Sequence, residues 1–189
     1  MMRKKARKSV PGKHAGQHTL ISFFSFNARE NIHADDVERI RQLVRDAVVF
    51  SEEEIDISAE LVRERLEKGV ASGYYFIMGE LENRFCGYTC FGPVPASKES
   101  FSLYWIVLEN SFRSQGVGKR LLDITEKRVL EMGGRRLYAE TSSREVYAPA
   151  RKFYLSNGFE QVALFDQYYA PDDDKIVYLK ILGKEKNPD

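Results

Sequence analysis

Apolar residues recur along this chain with two periods, and the change from one to the other outlines the elements. Thr19 to Asn27, TLISFFSFN, reads as a first strand, rich in aromatic and β-branched residues. From roughly Ala34 to Val49, the residues Val37, Ile40, Val44, Ala47 and Val48 return at helical spacing as one apolar stripe. Ser51-Glu52-Glu53-Glu54 has the form of a capping box. It precedes a second helix, clearest from Ser58 to Lys68, with Leu61, Val62 and Leu66 inward and Gly69 as its stop. Tyr74 to Leu81 and Arg84 to Phe91 predict two strands around a turn at Glu82-Asn83, an antiparallel hairpin. Gly92-Pro93-Val94-Pro95 breaks the ladder, and Phe101 to Leu108 predicts a fourth strand. A helix from about Val117 to Met132 puts Val117, Leu121, Thr125 and Val129 on one face, and Gly133-Gly134 ends it. Arg136 to Thr141 predicts a fifth strand, so residues 101 to 141 should form a right-handed parallel crossover. Pro149 suits the first turn of a helix that ends at Asn157-Gly158. Strands near Phe159 to Tyr168 and Lys175 to Leu182, joined by Pro171-Asp172-Asp173-Asp174, complete the pattern. Periodicity alone implies one mixed α/β sheet domain without internal repeats.

The stretch Trp105 to Lys119, WIVLENSFRSQGVGK, carries the first chemistry. An apolar strand leads through a polar turn into Arg113-Ser114-Gln115-Gly116-Val117-Gly118 and then into a helix. Glycines admit a close backbone approach, and a helix N-terminus offers free N–H donors and the positive end of the dipole. That arrangement suits a phosphate or pyrophosphate. A Walker loop needs Ser or Thr after its lysine, and Arg120 follows Lys119. A dinucleotide fingerprint needs a small residue three after Gly118, and Leu121 stands there. An ordinary strand–turn–helix with glycines for packing explains the six residues equally well.

Length and charge narrow the picture. At 189 residues, 43% of them apolar, the chain suits a single domain with a sizeable core. Residues 1–18 hold six of the 29 basic residues and no acid, which leaves 23 basic against 28 acidic and a net of −5 for the remainder. The body is therefore mildly acidic, and nucleic-acid binding by it is not favoured. The basic segment has no apolar core after it, as a secretory signal would, and reads as a disordered tail. An electrostatic anchor for RNA or an acidic surface is the other reading of it. No run of about 18 apolar residues exists to span a membrane. Cys86 and Cys90 lie four apart in one predicted strand, on one face and on the order of 13 Å apart, too far to bridge. Two cysteines fit a reducing cytoplasm. His14 and His18 lack a third ligand, so no metal site is expected.

A second motif settles which loop the first resembles. Tyr147-Ala148-Pro149-Ala150-Arg151-Lys152-Phe153-Tyr154-Leu155-Ser156-Asn157-Gly158-Phe159 is similar to N-x-x-A-x-x-F-Y-x-x-x-G-F. Together with R-x-x-G-x-G from Arg113 to Gly118, it resembles the GNAT superfamily of acetyl-CoA-dependent N-acetyltransferases, over about Thr19 to Leu182. The order of elements read above, β-α-α-β-β-β-α-β-α-β-β, matches that family's, and the resemblance implies an α/β fold with a splayed central sheet over residues 19–183, leaving 184–189 as a polar tail. It implies acetyl-CoA as acyl donor, a primary amine as acceptor, and direct attack of the amine in a ternary complex. A non-catalytic acyl-CoA-binding protein with this fold is the alternative. The pantetheine arm would pair with the backbone of Ile106, Val107 and Leu108, where an N–H near Leu108 would polarise the acetyl carbonyl. The pyrophosphate would sit on the amides of Ser114, Gln115, Gly116, Val117, Gly118 and Lys119, with Arg113 and Lys119 adding charge. Tyr147 replaces the family asparagine that binds the CoA arm, and supplies a hydroxyl there or only packs. Tyr154 matches a tyrosine that protonates the leaving thiolate, and a core tyrosine is its ordinary reading. One subgroup of the family has its glutamate at the position of Ser102, so Glu140 becomes the first candidate base and Glu109 the second. Either is otherwise a surface carboxylate. Glu52, Glu53, Glu54, Asp166, Tyr168 and Tyr169 would give an acidic, aromatic rim suited to a cationic amine. The amine is not readable, and the oligomeric state is open, a homodimer included.

Overall fold

The computed structural model describes residues 25–183. The basic segment 1–18 with His14 and His18, most of the expected first strand, and residues 184–189 lie outside the described residues. The elements follow the expected order. They are β1 (Phe26–Arg29), α1 (Asp36–Asp46), α2 (Glu52–Lys68), β2 (Tyr75–Leu81), β3 (Arg84–Pro93), β4 (Ser100–Leu108), α3 (Val117–Glu131), β5 (Arg136–Ser142), α4 (Ala148–Ser156), β6 (Glu160–Ala170) and β7 (Asp173–Ile181). One seven-stranded sheet runs β1-β2-β3-β4-β5-β7-β6, antiparallel except for the β4–β5 pair.

Local chemistry accounts for the boundaries. The capping box at α2 forms as predicted: Glu54 N–H donates to Ser51 Oγ at 3.2 Å, and Ser51 N–H donates to Glu54 at 2.8 Å. This starts α2 at Glu52, six residues before its clearest apolar periodicity. The hairpin turn holds Glu82 at φ 52° and Asn83 at φ 61°, the left-handed pair that matches strand twist. α1 is shorter than its stripe: it ends at Asp46, and Val48, expected inward, is 84% exposed at φ 63°. Leu66 is likewise 41% exposed rather than buried. The four predicted inward residues of α3, Val117, Leu121, Thr125 and Val129, are fully buried.

The helices divide between the two faces. α1 and α2 cover one face through Ile40, Val44 and Val62 against Phe76, Tyr88 and Val107. On the other face, Leu121, Leu122 and Val129 of α3 and Tyr154 of α4 pack on Leu103, Leu137, Ala139 and Tyr178. Two bulges near the middle of the sheet break the strand period, and β6 shifts register twice more against β7. Gly79 pairs with Gly87 but Glu80 pairs with Phe85, so Cys86 is an extra residue in β3. That reverses its facing: Cys86 packs with Val117 of α3, whereas Cys90 lies in the cluster under α1 and α2. The two cysteines therefore do not share a face, contrary to simple alternation, and both are free thiols. The second bulge is Tyr104 in β4, since Cys90 pairs with Trp105 and Phe91 with Leu103.

Candidate active site

The Tyr104 bulge opens the sheet at its centre. Parallel pairing of β4 with β5 runs from Ser100 opposite Arg136 to Leu103 opposite Ala139 and stops there. β4 continues to Leu108 and β5 to Ser142. A bulge bends its strand and increases the local twist, so the strands part immediately after it. Trp105 to Leu108 stay paired with β3 on one side. Their other edge presents main-chain groups that need a partner. An extended ligand carrying amides can add there as a further strand. The close approach of β3 at the end of β4 requires glycine, because a Cβ at Gly87 would lie 2.5 Å from the Val107 carbonyl oxygen.

The chain then turns through a short 3-10 segment, Asn110–Phe112, with Phe112 buried as its anchor. Ser114 at φ 60° and Gly116 at φ 80° take left-handed conformations on the way into α3. Such alternations turn successive amides toward one concavity that accepts an anion. The first α3 amide with a backbone partner is that of Arg120, donating to the Gly116 carbonyl at 3.1 Å. The Val117, Gly118 and Lys119 amides precede it at the positive helix end. Lys119 is paired with Asp123 at 2.6 Å, and Arg113 is exposed beside the turn. Gln115 donates from its side chain to the Ser111 carbonyl at 2.6 Å, bracing the turn. Gly118 has a different reason to be glycine from the one its motif suggests. Its Cβ would point to Leu108 and Phe153, each 3.2 Å away, so it allows α3 to pack on β4 and α4.

Tyr154 projects from α4 into the core, 5.4 Å from the Phe159 ring and 5.5 Å from Tyr178. Burial pushes its phenol well above the ordinary tyrosine range, so it stays protonated at neutral pH. Tyr147 faces the other way. Its hydroxyl donates to the Val49 carbonyl at 3.0 Å, and its ring meets Phe50 edge-on. The hydroxyl expected to contact the CoA arm thus ties the start of α4 to the α1–α2 loop. Phe50 also packs on Trp105 at 5.1 Å, and Asn110 donates to the Asp46 carbonyl at 3.1 Å. These contacts hold the loop beside the splay.

Glu140 is the first β5 residue beyond the last β4 pair. Its carboxylate is half-exposed and lies 2.5 Å from Lys175 of β7. Glu109 is engaged by Arg84 at 3.5 Å and by the Ser111 hydroxyl at 2.6 Å, as a surface carboxylate would be. Tyr169 completes the rim. Burial first, then Glu140, Tyr168, Asp173 and Glu54, push its phenol up to about 12. Asp173 is buried, bonded to the Ser142 hydroxyl and paired with Arg144 at 3.1 Å, which fixes the β6–β7 turn against the end of β5. Phe50, Trp105 and Lys175 were not among the site residues expected from the sequence, because each owes its place there to contacts between distant elements.

A family profile described as the acetyltransferase (GNAT) family matches residues 37–159. Among solved structures, one assigned to the GNAT acetyltransferases, from Desulfovibrio desulfuricans, is 36% identical with a TM-score of 0.82, covering 84% of this chain and 100% of that one. An aminoglycoside 6'-N-acetyltransferase complexed with coenzyme A is 20% identical with a TM-score of 0.69, over 86% and 99% of the two chains. The yncA protein of Salmonella typhimurium, solved with acetyl-CoA, is 18% identical with a TM-score of 0.64, over 87% and 98%. At those identities the last two show the fold alone. No curated protein sequence matches. Splayed strands, a glycine turn into α3 and the family match agree: the chain belongs to the GNAT acetyltransferase family.

Proposed function

We propose that this protein is an N-acetyltransferase that takes the acetyl group of acetyl-CoA and passes it to a primary amine by direct attack in a ternary complex. One observation carries the reading: β4 and β5 stop pairing at Leu103 and Ala139 although both strands continue. A pantetheine arm, peptide-like in its amides, fills that gap by pairing with the backbone of Ile106, Val107 and Leu108. The pyrophosphate rests on the amides from Ser114 to Lys119, with Arg113 free to add charge at the rim. The thioester carbonyl then lies near the Leu108 N–H, which stabilises the negative charge that develops on its oxygen.

The acceptor enters on the face holding Phe50, Trp105, Glu140 and Tyr169. Its nitrogen must be neutral to attack, and Glu140 removes the proton, directly or through water. The departing thiolate takes a proton from Tyr154, whose buried phenol retains one throughout the neutral range. The carboxylates around Tyr169 favour an amine that arrives as a cation. Coenzyme A release measured with acetyl-CoA and a panel of primary amines tests this: sustained turnover, beyond one equivalent per chain, should require the amine. Tight acetyl-CoA binding with no amine-dependent release would instead support an acyl-CoA-binding role.

A further inference from the structure

Lys175 stands opposite Ser142 in the β5–β7 ladder and opposite Phe165 in the β6–β7 ladder. Residues paired across a sheet, and those two positions along, share a face. Ser142, Glu140, Lys175 and Phe165 therefore face one way. Ala139 and Tyr178, their neighbours in the ladder, point into the core under α3 and α4, so this is the acceptor side. The Lys175 ammonium lies 2.5 Å from Glu140 Oε2 and 4.6 Å from the centre of the Tyr168 ring. Its side chain is only 14% exposed, unlike those of Lys119 and Lys127 on α3, at 60% and 79%. A primary amine of the chain itself is thus held against the candidate base, where β4 and β5 part.

We infer that Lys175 is an internal acetyl acceptor, modified by the protein's own acetyl-CoA when no external amine occupies the site. The inference rests on acetyl-CoA binding in the splay as proposed above. Glu140 accepts a proton from the ammonium across the 2.5 Å contact. The neutral Nζ then attacks the thioester carbonyl carbon, a C–N bond forms, and the C–S bond breaks. Coenzyme A leaves as thiolate and takes a proton from Tyr154, the second proton released by the nitrogen restores that phenol, and Glu140 returns the first to water. The product is a neutral amide. It ends the ion pair and leaves the Glu140 carboxylate facing the groove, available to a cationic acceptor.

The test is to incubate the full-length chain with acetyl-CoA and no amine, and to follow each lysine by peptide mass spectrometry. Acetylation of Lys175 should run at least about tenfold faster than that of Lys119 or Lys127, as proximity to a bound donor requires. Glu140→Gln should slow it by a similar factor, and Lys175→Arg should remove that label. Acetyl phosphate, which has no CoA moiety, should show no preference for Lys175. A Lys175 that labels no faster than Lys119, in protein shown by calorimetry to bind acetyl-CoA, overturns the inference and leaves the acetyltransferase reading standing. Equal preference from acetyl phosphate also overturns it. Failure to bind acetyl-CoA at all overturns both.

Discussion

Gly118 separates two reasons for such a motif to contain glycine, ligand approach and packing. Its missing Cβ faces Leu108 and Phe153, not the turn that would cradle a pyrophosphate. Gly118→Val should therefore overpack the junction of α3, β4 and α4 and cost about 1–3 kcal/mol. Thermal unfolding should show the loss without any ligand, and an unchanged midpoint would place that side chain in the cradle after all. Tyr154 poses the complementary question. Tyr154→Phe keeps the ring contacts with Phe159 and Tyr178 and deletes only the proton. We expect kcat to fall about 10²–10⁴-fold, the usual loss for a general acid, with KM for acetyl-CoA nearly unchanged. A near-normal kcat would leave Tyr154 as a core residue and pass the acid role to water. Its type and helix face were readable from its motif. Its burial among rings from α4, β6 and β7 was not, because that depends on where the final strands fold.

Elements that carry function here are joined by contacts no local pattern announces. The α1–α2 loop holds Val48, a β-branched residue, at φ 63°, a conformation that costs energy and needs support from elsewhere. Phe50 between Trp105 and Tyr147, and the Tyr147 hydrogen bond to Val49, supply it. Phe50→Ala should raise KM for the acceptor several-fold while acetyl-CoA affinity, measured by calorimetry, stays constant. An equal loss for both ligands would show the loop to serve the whole fold. At the sheet's edge, Arg29 of β1 grips the buried Asp36 of α1 in a bidentate pair at 2.7 and 2.8 Å. Burial pushes the Asp36 carboxyl up, but the Arg29 hydrogen bonds and charge and the His33 N–H outweigh it, and the net shift is downward. A lowered folded-state pKa gives stability that is present above the unfolded value of about 4 and is lost as pH falls below it. Asp36→Asn should cost on the order of 3 kcal/mol at neutral pH, and its stability should vary less than the wild type's in acid. Denaturant titrations across pH read both effects, and parallel acid limbs for the two proteins would contradict them. Strands and helices were legible because periodicity is local. The bulges at Cys86 and Tyr104 were not, since an extra residue is defined only against the partner strand. The Tyr104 bulge is also what opens the splay, so the central feature of the site came from family resemblance rather than from pattern.

For the whole molecule, periodicity gave the succession of elements and a mixed sheet, and the resemblance gave the fold. The site divides along the sheet: main-chain donors at the α3 end, and carboxylates with aromatic rings at the β5 and β6–β7 end. That division suits a phosphate-bearing acyl donor on one side and a cationic amine on the other. Among the described residues no helix is long and apolar enough to cross a membrane. The most direct test of the account is the rate of coenzyme A release from acetyl-CoA as primary amines, cationic diamines included, are added to the full-length protein. Saturable, amine-dependent release is expected, with one acetylated amine formed per coenzyme A. Acetyl-CoA that binds but is never turned over by any amine would contradict it.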